Sequence, residues 1–210
     1  MNIAEILTQN PLIAAAKHET LQNAIDSKAS VIILMNGKIN ELMKEEFQIC
    51  NKKKPILLHT DLIKGLSNDK ESINFIKEFI NPLGIVSTKS NMIRAAKKKE
   101  LVTIQRIFCI DSGSLRTSIE SVRENNPDLV EIMPAFVYPM VKTIKNEIDK
   151  PIILGGLIST KEQVVDMLNS GSDAISCGNS KLWNIEIKRD YKKKENLIFK
   201  WLVVEIWENH

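Results

Sequence analysis

The sequence has few cysteines, few histidines and almost no excess of either charge, and each shortage narrows what the chain can be. Three cysteines in 210 residues, Cys50, Cys109 and Cys177, lie far apart without a C-x-x-C pair. They cannot all pair within one chain, which argues against a disulfide framework and for a reducing, cytoplasmic compartment. The 29 Lys and Arg against 26 Asp and Glu leave a net charge of +3, too small to establish a nucleic-acid or membrane partner by itself. Long apolar runs are missing too. Leu12–Ala16, with Glu5 ahead of it, is too short for a signal-peptide core, and Leu197–Trp207 is interrupted by Lys200 and Glu205, so no membrane partner is expected. No G-x-G-x-x-G follows an early strand, which counts against a dinucleotide-binding sheet. Of three histidines, only His59 falls in a strand. With Asp61 and Glu131 it makes a thin ligand set without metal-site spacing, so neither a metal nor a cofactor is expected.

What remains is an ordinary globular composition, 43% hydrophobic and 26% charged, at a length that suits one compact domain with an appendage. Short apolar runs recur at Leu12–Ala16, Val31–Met35, Ile56–Leu62, Ile85–Thr88, Val102–Arg106, Leu129–Met133, Ile152–Gly155 and Ala174–Cys177. Their starts are spaced by about 23 residues, enough for one strand, one helix and two loops. Pro11, Pro55, Pro82, Pro127 and Pro151 precede strands, where a missing N–H is tolerated. Between the runs, Ile39, Leu42, Met43, Phe47 and Cys50 share one helical face, as do Ile73, Ile76 and Ile80. Asn68 with Glu71 resembles a capping box, Pro139 suits a first helical position, and Ser159 or Thr160 with Glu162 or Gln163 opens another helix. Eight alternating units predict an α/β fold, a TIM-type (β/α)8 barrel, with an open doubly wound sheet as the alternative.

Strand alternation assigns faces. With Ile56, Leu58 and Leu62 toward the helices, Leu57, His59 and Asp61 point into the lumen, and Val130 and Ile132 outside leave Glu131 within. The same count puts Ser87, Lys89, Thr103 and Gln105 in the lumen. Polar groups therefore gather toward the C-terminal mouth, where sites in such barrels are built. Gly155 and Gly156 after the seventh strand, with Gly178 and Asn179 after the eighth, suit a phosphate, because glycine lets backbone N–H groups approach the oxygens and a helix near Ser180 and Lys181 adds its positive end. Two glycines also make an ordinary tight turn. Lysine triplets at 52–54, 97–99 and 192–194 read first as solvated helix ends.

The segments LLHTDLIKGLSNDKESINFI, GIVSTKSNMI, TIQRIFCIDS, PDLVEIMPA, PIILGGLIST and SCGNSKLW, in this order and spacing from about Pro11 to Trp183, resemble the glycerol-3-phosphate responsive antiterminators. The resemblance implies a TIM-barrel regulator that binds glycerol 3-phosphate and acts on the leader of messenger RNA for glycerol metabolism, letting transcription pass a terminator. It puts His59, Asp61, Lys89, Gln105, Arg106, Asp111, Glu131, Pro134, Gly155, Gly156 and Asn179 at the mouth. Departures from the family pattern are Ser159, where a basic residue is usual, Ala135, where glycine is usual, and Lys17 and Lys89, where arginine is common. Lysine neutralises an anion without arginine's planar two-point grip.

The expected organisation is a barrel domain over residues 1–184 and an extension over 185–210, whose run ENLIFKWLVVEIW has no counterpart in the family pattern. The expected function is a cytoplasmic, non-enzymatic RNA-binding antiterminator with glycerol 3-phosphate as effector and leader mRNA as partner; a homo-oligomer is allowed. Two alternatives stay open on the same fold. One is a phosphosugar enzyme of aldolase or isomerase type, with Lys89 as Schiff-base nucleophile or Asp61 and Glu131 as acid and base. The other is a phosphometabolite-binding protein without an RNA partner.

Overall fold

Each of the eight apolar runs becomes a strand: β1 (Leu12–Ala16), β2 (Val31–Leu34), β3 (Ile56–His59), β4 (Gly84–Ser87), β5 (Val102–Phe108), β6 (Leu129–Met133), β7 (Ile152–Gly155) and β8 (Ala174–Cys177). The structure, a computed structural model, describes residues 3–187. The expected extension therefore lies outside the described residues from position 188 onward. All eight strands pair in parallel in chain order, and β8 closes on β1 with Leu12 opposite Ile175. That pairing makes a closed TIM-type barrel and removes the open-sheet alternative. Among the described residues, no helix is long and apolar enough to cross a membrane.

The helices are α1 (Ile3–Gln9), α2 (Leu21–Asp26), α3 (Ile39–Leu42), α4 (Glu45–Lys53), α5 (Lys70–Phe75), α6 (Ser90–Lys98), α7 (Ser112–Asn125), α8 (Val141–Glu147) and α9 (Lys161–Asn169). Alternation along the strands builds two apolar layers. Ile32, Leu34, Ile56, Leu58, Ile85, Val130, Ile132 and Leu154 pack outward against the helices. Ile13, Val31, Ile33, Leu57, Val86, Ile104, Leu129, Ile153 and Ala174 fill the lumen, and Ile3 and Leu7 of α1 pack on them. Each such side chain contributes roughly 1.5–3 kcal/mol relative to exposure. The lumen is thus a plugged apolar core at its N-terminal end, and only the C-terminal end is free for chemistry.

Several local expectations change. The apolar face from Ile39 to Cys50 belongs to two helices, because the chain turns at Met43 and Lys44, and Met43 is exposed. The cap of α5 is Asp69 rather than Asn68, its carboxylate accepting the Ser72 N–H at 2.9 Å. Pro139 lies inside the 3-10 segment Ala135–Met140, and α8 starts after it at Val141. Thr160 and Gln163 form the capping box of α9.

Candidate functional site

Register between adjacent strands assembles the polar end of the lumen. Arg106 on β5 lies directly opposite Glu131 on β6, and Nε of Arg106 donates to Oε2 of Glu131 at 2.7 Å. Both are buried, the carboxylate completely. Nη2 of Arg106 reaches Sδ of Met35 at 3.6 Å, while Nη1 has no hydrogen-bond partner among the described residues. Oε1 of Glu131 is buried without a partner, as are Nδ1 of His59 and Oγ of Ser176. Buried polar atoms are nearly always hydrogen-bonded, so three unpaired ones at the end of one lumen mark a place built to receive polar groups. Small side chains leave the space. Gly155 stands opposite Ser176, and a Cβ on it would lie 2.8 Å from Oε1 of Glu131 and 3.1 Å from the Met133 methyl.

Charge is tuned accordingly. Burial, reinforced by the Arg106 guanidinium and opposed by Asp61, pushes His59 down from 6.5 to about 4, so the imidazole is neutral at neutral pH. The site therefore holds one charged pair and two neutral groups able to exchange hydrogen bonds with hydroxyls.

Other expected residues sit elsewhere. β3 ends at His59, and Thr60–Leu62 is a 3-10 turn that carries Asp61 out of the lumen to the rim. There the Asp61 carboxylate accepts from the Ser87 hydroxyl and from the Thr88 amide and hydroxyl at 2.8 and 2.7 Å. Burial raises its affinity for a proton, but these donors outweigh that and hold it below the ordinary aspartate value. Lys89 is the cap residue of α6, with its amide on Oγ of Ser87, and does not line the lumen. Ser87, Thr103 and Gln105 also face away from the lumen, since Val86 and Ile104 occupy it, and a shift of one residue exchanges the two faces of a strand. Thr103 bonds Asp128. Gln105 points into a polar cluster between α6 and α7: its Nε2 donates to Ser121 at 2.9 Å, and Asn125 donates to Gln105 Oε1 and Ser90 and accepts from Arg94 at 2.7 Å. Asp111 caps α7, accepting the Ser114 N–H at 2.7 Å, which holds its carboxyl below the ordinary value.

The loops after β6, β7 and β8 frame one side of the mouth. Pro134 packs beside Gly156, whose φ of +85° suits glycine and whose carbonyl accepts the Ala135 N–H at 3.4 Å. Asn179 joins the last two loops, Nδ2 donating to the Ser159 carbonyl at 3.3 Å and Oδ1 accepting the Lys181 N–H at 3.2 Å. The expected helix after Gly178 is a single 3-10 turn, Ser180–Leu182, so its dipole adds little to any anion site. Ser159 spends its N–H and hydroxyl on Gln163. Among the described residues, no three His, Cys, Asp or Glu side chains are placed to hold a metal ion. The residues brought together are thus His59, Arg106, Glu131 and Gly155, with Pro134, Gly156, Gly178 and Asn179 in the neighbouring loops. Ser176 and Met35 were missed in the sequence, although the alternation that put Glu131 inside would have put Ser176 there too.

Residues 12–183 match the model of the family described as glycerol-3-phosphate responsive antiterminator. An uncharacterised Escherichia coli (strain K12) protein, YgcP, is 34% identical over 90% of this chain and 99% of its own. The crystal structure of a glycerol uptake operon antiterminator regulatory protein from Listeria monocytogenes superposes with a TM-score of 0.78 at 31% identity, over 83% of this chain and 95% of that one. A glycerol uptake operon antiterminator-related protein from Thermotoga maritima gives 0.72 at 27% identity, over 82% and 96%.

Proposed function

This chain belongs to the glycerol-3-phosphate responsive antiterminator family, and from that premise we propose that it is an RNA-binding regulator whose hold on a leader transcript is set by glycerol 3-phosphate. The observation that carries this reading is the set of unpaired buried atoms at the mouth, Glu131 Oε1, His59 Nδ1 and Ser176 Oγ, beside the open Nη1 of Arg106. A polyol offers hydroxyls that both donate and accept, which answers a carboxylate oxygen, a neutral imidazole and a serine together. The phosphate lies toward Gly155, Gly156, Gly178 and Asn179, with Arg106 supplying the charge. Gln105 and Asp61, expected at the mouth, are occupied by the protein itself, and Glu131, His59 and Ser176 receive the hydroxyls.

The same reading makes the chain a binder rather than a catalyst. Lys89 caps a helix outside the lumen, the Asp61 carboxylate is held by three donors, and Glu131 is paired with Arg106. Ligand acts through its differential affinity for two conformations, and the chain works in the cytoplasm, where the transcript is. The test is a titration of labelled leader RNA from upstream of its own gene, with and without glycerol 3-phosphate, at fixed salt. A coupling of about 1.4 kcal/mol tightens leader RNA roughly tenfold, and leader RNA must tighten glycerol 3-phosphate by the same factor. Equal affinity for leader and scrambled RNA, with no response to ligand, overturns the reading.

A further inference from the structure

Arg106 is 6% exposed and held by Glu131, so a polyanion needs a more exposed basic surface. Two lysine triplets supply one. Helices of this barrel run against the strands, so the C-terminal ends of α4, with Lys52 and Lys53, and of α6, with Lys98 followed by Lys99, lie at the N-terminal end of the barrel. There they flank a groove of about 430 Å3 lined by Lys52, Lys53, Lys77 and Glu100, together with Leu83 and Leu101, which immediately precede β4 and β5. Lysines at helix C-termini complement the helix dipole, and two of these have structural partners besides. Lys54 Nζ donates to the carbonyls of Ala24 and Ser27 at 2.9 and 2.7 Å, and Lys97 bonds Asn126 and Asp128. The other five, Lys52, Lys53, Lys77, Lys98 and Lys99, form no ion pair among the described residues. Glu78 and Glu100 are the acids beside them in the chain.

We propose that this groove receives the sugar–phosphate backbone of RNA, on the end of the barrel opposite the ligand mouth. The proposal rests on the RNA-binding reading and names its surface. Three ammonium groups lining the groove, Lys52, Lys53 and Lys77, with Lys98 and Lys99 close by in the chain, are free of ion pairs among the described residues and fit a chain of phosphates.

The variant Lys52→Gln/Lys53→Gln/Lys77→Gln tests it, against a charge-matched control at the other end of the barrel, Lys44→Gln/Lys70→Gln/Lys161→Gln. Leader-RNA affinity is measured across a salt series, and glycerol 3-phosphate binding in parallel. The groove variant is expected to lose about tenfold in RNA affinity at low salt and about 2 in the slope of log K against log salt, at about 0.7 per phosphate contact on a single strand. Its ligand affinity stays unchanged, and Lys→Arg replacements at the three positions restore RNA binding. RNA affinity and slope equal to the unaltered protein's, or a loss of the same size in the control, overturn the groove alone. An unaltered protein that binds no RNA at any salt overturns the antiterminator reading and this proposal together. Groove-dependent retention on phosphatidylglycerol vesicles with RNA binding unaffected overturns it by making the face a membrane contact.

Discussion

Removing one member of the buried Arg106–Glu131 pair strands the other in the lumen. The carboxylate is completely buried and the guanidinium nearly so, and they meet at 2.7 Å. A buried charge that has lost its partner costs about 3–5 kcal/mol, whereas replacing both charges with apolar groups of similar volume is often neutral or stabilising. For a domain of this size 1 kcal/mol moves the melting temperature by about 2–4 °C. Arg106→Met and Glu131→Leu are therefore each expected to lower it by about 6–20 °C, and the double variant to recover most of that loss while failing to bind glycerol 3-phosphate. Thermal melts followed by circular dichroism, with urea titrations to obtain free energies, complete the cycle. A double variant whose destabilisation equals the sum of the two single losses refutes the reasoning, since independent sites add.

Three further outcomes are expected. Gly155→Ala sets a methyl 2.8 Å from Glu131 Oε1, so it should abolish the melting shift given by glycerol 3-phosphate; an undiminished shift moves the ligand elsewhere. His59 is neutral in the folded protein and protonates more readily unfolded, so its contribution is present above pH 6.5 and lost as pH falls toward about 4, amounting to about 3 kcal/mol. Urea titrations across that window should show the decline and His59→Gln should flatten it, whereas Asp61, whose carboxyl lies below the ordinary aspartate value, acts only at lower pH. Asp111→Ala should cost about 1 kcal/mol as a lost cap and leave ligand affinity unchanged in calorimetric titration; a loss of affinity would return Asp111 to the site.

The barrel was legible because its signal is redundant: eight apolar runs repeat one spacing, and an error of a few residues in any one leaves the count intact. The site was legible only where the parity of a strand could be read from its own apolar residues. Val130 and Ile132 fix Glu131 unambiguously, since both are aliphatic and flank a single charge. Val102–Phe108 has no such asymmetry: Ile104 faces in, Ile107 faces out, and threonine, glutamine and arginine fill the positions between. Composition favours neither phase there, and the wrong one exchanges Gln105 for Arg106. Asp61 misled for a different reason, because the period of two holds only while the chain stays extended, and β3 ends two residues before it. The capping role of Asp111 needed the Ser114 amide, whose position depends on where α7 begins.

The cluster of Gln105, Ser121, Asn125, Ser90 and Arg94 between α6 and α7 bears on how the sequence can drift. Gln105 and Asn125 are its buried members, and replacing Asn125 alone by an apolar residue leaves the buried Gln105 Oε1 unpaired at about 1–3 kcal/mol, while replacing both by packed aliphatics need cost little. Small steps through sequence space are therefore blocked here and large ones are open. Lineages descending from this barrel should keep Gln105 and Asn125 together or exchange them together. Gln105 would then look invariant among close relatives because of an inherited lock, at a position that faces away from the lumen.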